Sequence, residues 1–382
     1  DVCSSDLGRF DVRVDAEGPL ALGEGTRSVE LGADAKTTLN FPLSAREGHQ
    51  VAKVRVRVEG NGFKADRRYD LPVRAAWPQV LRSQVRTLDP LAPVSLDAGL
   101  LDGLMPESVT ARLLVSPLPP IPFASALQGA LNYPYGCAEQ TTSKGYAALI
   151  LDQATSTLLG ADGLDAKTRR ERMEGAFGRL ASMQVANGNF SMWGDDGYVN
   201  PWLTPYITGF LLDAREAGFA VPDAVLQKAL NRLSEDMLSG GNPFYGQDRR
   251  ENLKFANQAY AGYVLARVNR APLGTLRTLY DNERAKAIGG LPLVHLGIAL
   301  SLQGDRKRGE AAIAAGFAKP SSERPGYFGD YGSAIRDDAL MIALTHEHGL
   351  ARPAWDARSV DLGRALDARR NSGWLWLSPQ EQ

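Results

Sequence analysis

Apolar residues alternate with charged ones through the first part of the chain and recur at helical spacing through the rest. Lys53-Val54-Arg55-Val56-Arg57-Val58 has one apolar and one charged face, the period-two signature of a half-buried strand. Val12 and Val14 follow the same rule, and Asp70–Arg74 and Val109–Val115 are further strand candidates. Gly60-Asn61-Gly62 and Gly103 stand where turns are needed. This spacing suits a β-sandwich up to about residue 120. The run Pro117-Leu118-Pro119-Pro120-Ile121-Pro122 then excludes both helix and central strand and reads as a semi-rigid linker. From Phe123 the spacing predicts helices over 124–131, 138–158, 166–185, 202–217, 223–238, 252–268, 291–303, 306–316, 333–347 and 359–369. Pro222 and Pro292 are placed like first-turn prolines, and Asp223 and Asp305 like caps or first-turn acids. Helical hairpins at this spacing predict an α/α toroid, a ring of paired helices, with its last hairpin truncated.

Composition narrows the picture. With 43 Lys and Arg against 44 Asp and Glu in 382 residues, the balance implies no nucleic-acid or polyanion partner. No apolar run approaches a membrane span. The opening Asp1-Val2-Cys3-Ser4-Ser5-Asp6-Leu7 matches one reading frame of a common sequencing adapter, so residues 1–7 read as foreign sequence and Cys3 as an artefact. Ser378-Pro379-Gln380-Glu381-Gln382 resembles the beginning of a helix, so both ends read as cut. Setting Cys3 aside leaves one cysteine, hence no internal disulfide and a thiol free for other chemistry.

That cysteine lies in Tyr133-Pro134-Tyr135-Gly136-Cys137-Ala138-Glu139-Gln140. A lone cysteine is usually a small buried apolar residue. Here it precedes a glutamine by three residues at the start of a helix-forming run, where thiol and carboxamide can meet across one turn. If the Cys137 thiolate attacks the Gln140 amide and ammonia leaves, the product is an internal thioester, a stored acylating group.

Gly136, Cys137, Glu139 and Gln140 match the Gly-Cys-x-Glu-Gln signature of the α2-macroglobulin and complement thioester proteins. The flanking Tyr-Pro-Tyr and Thr141-Thr142-Ser143 resemble the bacterial branch of that superfamily in particular. Similarity runs from about Trp77 to the C-terminus, through Ala126-Leu127-Gln128-Gly129, Asn187–Gly194, Asn200–Thr204 and Arg336-Asp337. The resemblance implies a multi-domain order: a partial macroglobulin-like β-domain over 8–75, the first part of a CUB-like β-domain over 76–120, and an incomplete thioester-containing toroid over 121–382. The turn Leu180–Gln184 with Asn187–Phe190 also resembles the Gln/aromatic turn of terpenoid-cyclase toroids, which supports the fold and not a cyclase function.

The resemblance further implies a single-use covalent trap, with no turnover and no cofactor. A protease would cut a bait region outside this chain, and one of its lysine amines would attack the Gln140 acyl carbon and release Cys137. The bait region and domains C-terminal to the toroid would be partners within the same protein. The location would be periplasmic, with membrane attachment only through an N-terminal lipid anchor outside this chain. Tyr133 and Tyr135 would shield the thioester from water, or simply pack at a domain edge; Met192, Trp193 and Trp202 are candidates for the same cover or for core.

Two other functions compete. A Cys-His hydrolase needs a histidine beside Cys137; His295, in an apolar stretch, is a remote candidate that reads better as a core residue. Some complement relatives relay the acyl group through a histidine, but neither Gly209 nor the run Lys254–Gln258 supplies one, so amines would attack directly. A toroid enzyme acting on carbohydrate or isoprenoid needs a carboxylate-lined cavity, and the adjacent pairs Asp195-Asp196 and Asp337-Asp338 point apart and read as solvation or capping. His346 and His348 do not share a helix face, so no metal site is expected.

Overall fold

The computed structural model describes residues 8–32, 35–46, 48–74, 80, 88, 91–95, 98–105, 108–111, 113, 115, 123–133, 135–159, 163–194, 199–240, 250–320 and 332–371. The chain divides into two compact units, Asp1–Leu113 and Leu114–Gln382. Residues 1–7, the boundary at Trp77, the proline run, Asp195-Asp196 and the C-terminal Ser378–Gln382 lie outside the described residues.

In the first unit, strands β1 (Gly8–Glu17), β3 (Thr26–Leu31), β5 (Gln50–Gly60) and β6 (Phe63–Val73) form one antiparallel sheet in the order β3-β1-β5-β6. β2 (Leu20–Leu22) and β4 (Leu43–Ala45) pair separately. Register follows the alternation: Val12 faces Val58 and Val14 faces Val56, while the other face carries the ion pairs Arg55–Asp66 and Arg57–Asp15. Asn61 and Gly62, at φ 50° and 76°, make the two-residue turn of the β5–β6 hairpin, the left-handed pair that matches strand twist.

The sequence predicted a sandwich, but the described residues supply one four-stranded layer and a short ribbon. Phe10, Val12, Val14, Val29, Val56 and Val58 line an open apolar concavity on that layer together with Leu39 and Phe41. Val109–Val115 is not a strand in its described residues. A strand exists only by pairing, and no described residue pairs with this segment, whose Leu113 and Val115 are 72% and 68% exposed.

The second unit is helical: α1 (Phe123–Leu131), α2 (Ala138–Ile150), α3 (Gln153–Leu159), α4 (Ala166–Ser182), α5 (Leu203–Glu216), α6 (Asp223–Ser239), α7 (Arg250–Arg267), α8 (Leu273–Thr278), α9 (Leu291–Leu302), α10 (Arg306–Ala318), α11 (Ala334–Glu347) and α12 (Pro353–Asn371). α2 packs on α5, α5 on α7, α7 on α9 and α9 on α11; α4, α6, α10 and α12 pack against members of that series. α9 is buried along Leu291–Leu300, as expected of a helix apolar all round. It approaches α10 closely because Gly297 faces Gly309, where an added Cβ would sit 2.6 Å from the Gly309 carbonyl.

Three boundaries differ from the pattern. The helix expected over 138–158 breaks at Leu151, because Asp152 caps a new helix by accepting from Thr155 N–H at 2.7 Å. α8 lies in a stretch whose Gly274 and charges hide its period, and it continues into a π-turn at Leu279–Glu283. α12 begins at Pro353, where a proline is tolerated in a first turn. Asp305 caps α10 as expected, and Asp223 is a first-turn acid of α6, but Pro222 stands at the N-cap of α6 and not in its first turn. Asp165 and Ser333, not singled out in the sequence, also accept from first-turn N–H groups. Among the described residues no helix is long and apolar enough to cross a membrane.

Gly145 of α2 lies against the fully buried ring of Phe210 on α5, within contact distance of an added Cβ. Gly145→Ala should therefore destabilise the second unit despite alanine's better helix propensity, by about 1–3 kcal/mol for an overpacked core. A lower chemical-denaturation midpoint checks this; an unchanged or higher midpoint would show that α2 and α5 are not so closely packed.

Candidate functional site

The first turn of α2 is a reciprocal cap. Cys137 is the N-cap residue, with extended backbone at φ −67° and ψ 171°. Its sulfur faces the Gln140 backbone N–H, and its own N–H donates to Gln140 Oε1 at 3.1 Å. A helix leaves its first N–H groups without intrahelical partners, and this exchange satisfies two of them as a Ser/Glu capping box would. Gly136 precedes the cap half-buried, its carbonyl accepting from Thr141 Oγ1 at 3.3 Å. Ala138 N–H donates to the Met192 carbonyl at 2.9 Å, seating the turn around Met192 against the start of α2.

Cys137 and Glu139 are both 4% exposed. Burial pushes the Cys137 thiol up, the Glu139 charge adds to this, and the Gln140 N–H opposes it. Glu139 is pushed up to about 7 by burial, with the Ser143 hydroxyl pulling the other way. Glu139 Oε2 lies 4.0 Å from Cys137 Sγ, while Oε1 accepts from Ser143 Oγ at 2.9 Å. Ser143 Oγ in turn lies 2.9 Å from the hydroxyl of Tyr206 on α5. Thiol, carboxyl and carboxamide thus meet in one turn of helix, and a hydroxyl pair ties the carboxyl to the core.

Beyond Tyr206 lies an aromatic and charged layer. Tyr206 stacks on Trp202 at 4.5 Å between ring centroids, and Arg336 sits over Trp202 at 5.6 Å. Tyr146 donates to Asp213 at 2.9 Å, and Asp213 pairs with Arg267 at 2.6 Å. Arg267 also pairs with Glu216, so a guanidinium already engages two of the three carboxylates in the acidic grouping of Asp213, Glu216 and Glu347.

Other sequence candidates fall in several places. Tyr133 is half-buried and meets Tyr135 edge to face at 5.8 Å, with Tyr135 63% exposed. Lys144 Nζ donates to the Tyr135 carbonyl at 2.6 Å and ties that segment to α2. Met192 and Trp202 are buried, while Trp193 is 64% exposed. His295 lies on α9, stacked on Tyr260 at 4.4 Å and Tyr263 at 5.3 Å, a core position away from Cys137. His348 contacts the Tyr263 hydroxyl at 3.1 Å. Asp337 and Asp338 are neither solvated nor caps: they pair with Arg336 at 2.6 Å and Arg358 at 2.8 Å, and Ser333 caps α11. Sequence reasoning missed Ser143, Tyr206 and Lys144. The i,i+4 spacing of Glu139 and Ser143 was available as a signal; nothing local pointed to Tyr206.

Residues 111–252 match the family model described as the A-macroglobulin TED domain. The chain is 70% identical over 98% of its length to the α2-macroglobulin of Xylella fastidiosa strain Temecula1, and 34% identical over 98% to that of Escherichia coli K12. The chain belongs to the α2-macroglobulin family. It spans about a quarter, 23%, of the length of each of these relatives. The native E. coli α2-macroglobulin structure from domain MG7 to the C-terminus matches at TM-score 0.74 and 31% identity, covering 99% of this chain and 60% of that one. Salmonella α2-macroglobulin reacted with methylamine matches at 0.70 and 32%, covering 99% and 25%. Trypsin-activated E. coli α2-macroglobulin matches at 0.59 and 31%, covering 99% and 26%. These similarities extend to the helical unit that carries the cap, so the family likeness and the Cys137–Gln140 turn fall in the same part of the chain.

His295 gives a pH prediction. Burial first, and the Arg336 charge second, lower it from 6.5 to about 3. The unfolded chain therefore binds a proton below about pH 6.5 that the folded chain refuses. Stability is present above that pH and falls as the pH drops toward 3. His295→Phe keeps a stacked ring and removes the proton site. It should recover up to about 5 kcal/mol relative to the parent between pH 6.5 and 3. Denaturant titrations at several pH values check this; parallel stability curves would contradict it.

Proposed function

We propose that this chain is the thioester-bearing part of a bacterial α2-macroglobulin that traps proteases covalently, once per molecule, and is not a turnover enzyme. The observation that carries the reading is the reciprocal cap, in which the Gln140 carboxamide folds back onto the residue that holds the only described thiol. Cys137 sulfur adds to the Gln140 carbonyl carbon, the C–N bond breaks, and ammonia leaves. Negative charge develops on Gln140 Oε1, the atom that already accepts from Cys137 N–H at 3.1 Å. A preoriented N–H at that oxygen stabilises the tetrahedral species in formation and in later attack. A lysine amine of a captured protease then takes the acyl group, and the C–S bond breaks to return the Cys137 thiol.

The related structures support the reading, since a Salmonella relative was reacted with methylamine and an E. coli relative was activated by trypsin. The packing series α2, α5, α7, α9, α11, with further helices against it, supports an α/α toroid. Within the whole protein, the sheet unit would belong to a macroglobulin-like domain and the stretch after it to a CUB-like domain, with the bait elsewhere and the location periplasmic. The half-buried Tyr133, held with Tyr135 near the cap, would help to keep water from the acyl carbon. The Cys-His alternative needs a base at the sulfur, and His295 is committed to an aromatic stack on another helix.

Cys137→Ala and Gln140→Ala should each abolish incorporation of labelled methylamine, while His295→Phe should retain it. Incorporation into the Gln140 variant would overturn the thioester reading. Selective loss in the His295 variant, with folding intact, would restore the Cys-His mechanism.

A further inference from the structure

We infer that Glu139 is the proton carrier of the acyl site, aimed at the Cys137 sulfur by the Ser143–Tyr206 hydroxyl pair. The inference rests on the thioester reading and adds a catalytic group to it. Three observations lead there. Glu139 is 4% exposed yet forms none of the ion pairs found among the described residues, although a buried carboxyl without a cation is costly. Its two oxygens are differentiated: Oε1 accepts from Ser143 at 2.9 Å, which leaves Oε2 on the sulfur side at 4.0 Å. Ser143 is itself held 2.9 Å from Tyr206, whose ring is fixed by its stack on Trp202.

The chemistry requires such a group. Cys137 starts as a buried, protonated thiol, and the amide of Gln140 can lose its nitrogen only as ammonia. In formation, Glu139 takes the proton from sulfur as the S–C bond forms and gives it to the nitrogen as the C–N bond breaks. In attack, an incoming amine adds to the acyl carbon and loses a proton to Glu139, which passes it to the Cys137 thiolate as the C–S bond breaks. Neither sequence leaves a net change on Glu139. A carboxyl lifted to about 7 is suited to both directions near neutral pH. The titratable and charged groups around it are Cys137 and Lys144 on its own helix, Tyr206 on α5, and beyond Tyr206 the phenol of Tyr260 on α7 and Arg336 on α11. None of these besides Glu139 offers a carboxylate to the sulfur.

The test is the pH profile of thiol release by methoxyamine, a weakly basic amine already uncharged over the range of interest, in the parent chain, Glu139→Gln and Ser143→Ala. The parent rate should rise through about pH 7 and level off. Glu139→Gln should be slower by roughly 10²-fold and lose the inflection. Ser143→Ala removes a hydrogen bond that favours the carboxylate, so its inflection should move to higher pH. A merely structural Ser143 would leave the midpoint in place. A Glu139→Gln chain that releases thiol at the parental rate with the parental profile overturns the assignment while leaving the thioester intact. A parent chain that starts with a free thiol and no acyl group overturns the thioester reading and this inference together.

Discussion

The start of α2 is the constraint on which the rest depends. A helix that begins in a buried place must find partners for its first N–H groups, and serine, threonine, aspartate or asparagine would do this best. This chain uses Cys137, a poor cap, and compensates with a glutamine that reaches back to the cap's own N–H. The local rule is broken where the chemistry lies, as expected at functional sites. The same geometry does two things: it closes the end of the helix, and it folds a carboxamide back onto the residue that carries the thiol.

The packing around that turn ties it to the core. α2 is held to α5 through the Gly145–Phe210 contact and the Ser143–Tyr206 hydroxyl pair. From Tyr206 the stack passes to Trp202, and a second stack joins Tyr260 and Tyr263 of α7 to His295 of α9. Within this layer Arg267 of α7 pairs with Asp213 and Glu216 of α5, and Arg336 pairs with its neighbour Asp337 on α11. Buried charges with partners on separate helices specify how those helices sit, since removing one partner leaves the other uncompensated. A reactive acyl group needs this order, because hydrolysis competes with capture whenever the site opens to water.

How far the sequence spoke for itself varies along the chain. Cys137, Glu139 and Gln140 were legible because their spacing is local, and one helical turn converts spacing into proximity. The period of Lys53–Val58 gave the strand and the face it buries. Asp305 and Pro292 gave helix starts for the same reason. What was not legible depends on residues far apart in sequence. Tyr206 joins the site across 63 positions, and Asp338 reads as a solvated acid until Arg358, 20 positions on, is seen paired with it. Val109–Val115 has the composition of a strand, but no described residue pairs with it, and composition cannot reveal a missing partner. The break at Leu151 was hidden because Asp152 can belong to a helix or cap one.

The most direct measurement of the central claim is the intact mass of the chain, purified without nucleophiles and paired with titration of its thiols. The account predicts a molecule lighter than its sequence by one ammonia, with Cys137 silent toward thiol reagents. A chain at full sequence mass with a reactive Cys137 would mean that the cap holds the two groups together without joining them, and would contradict the account.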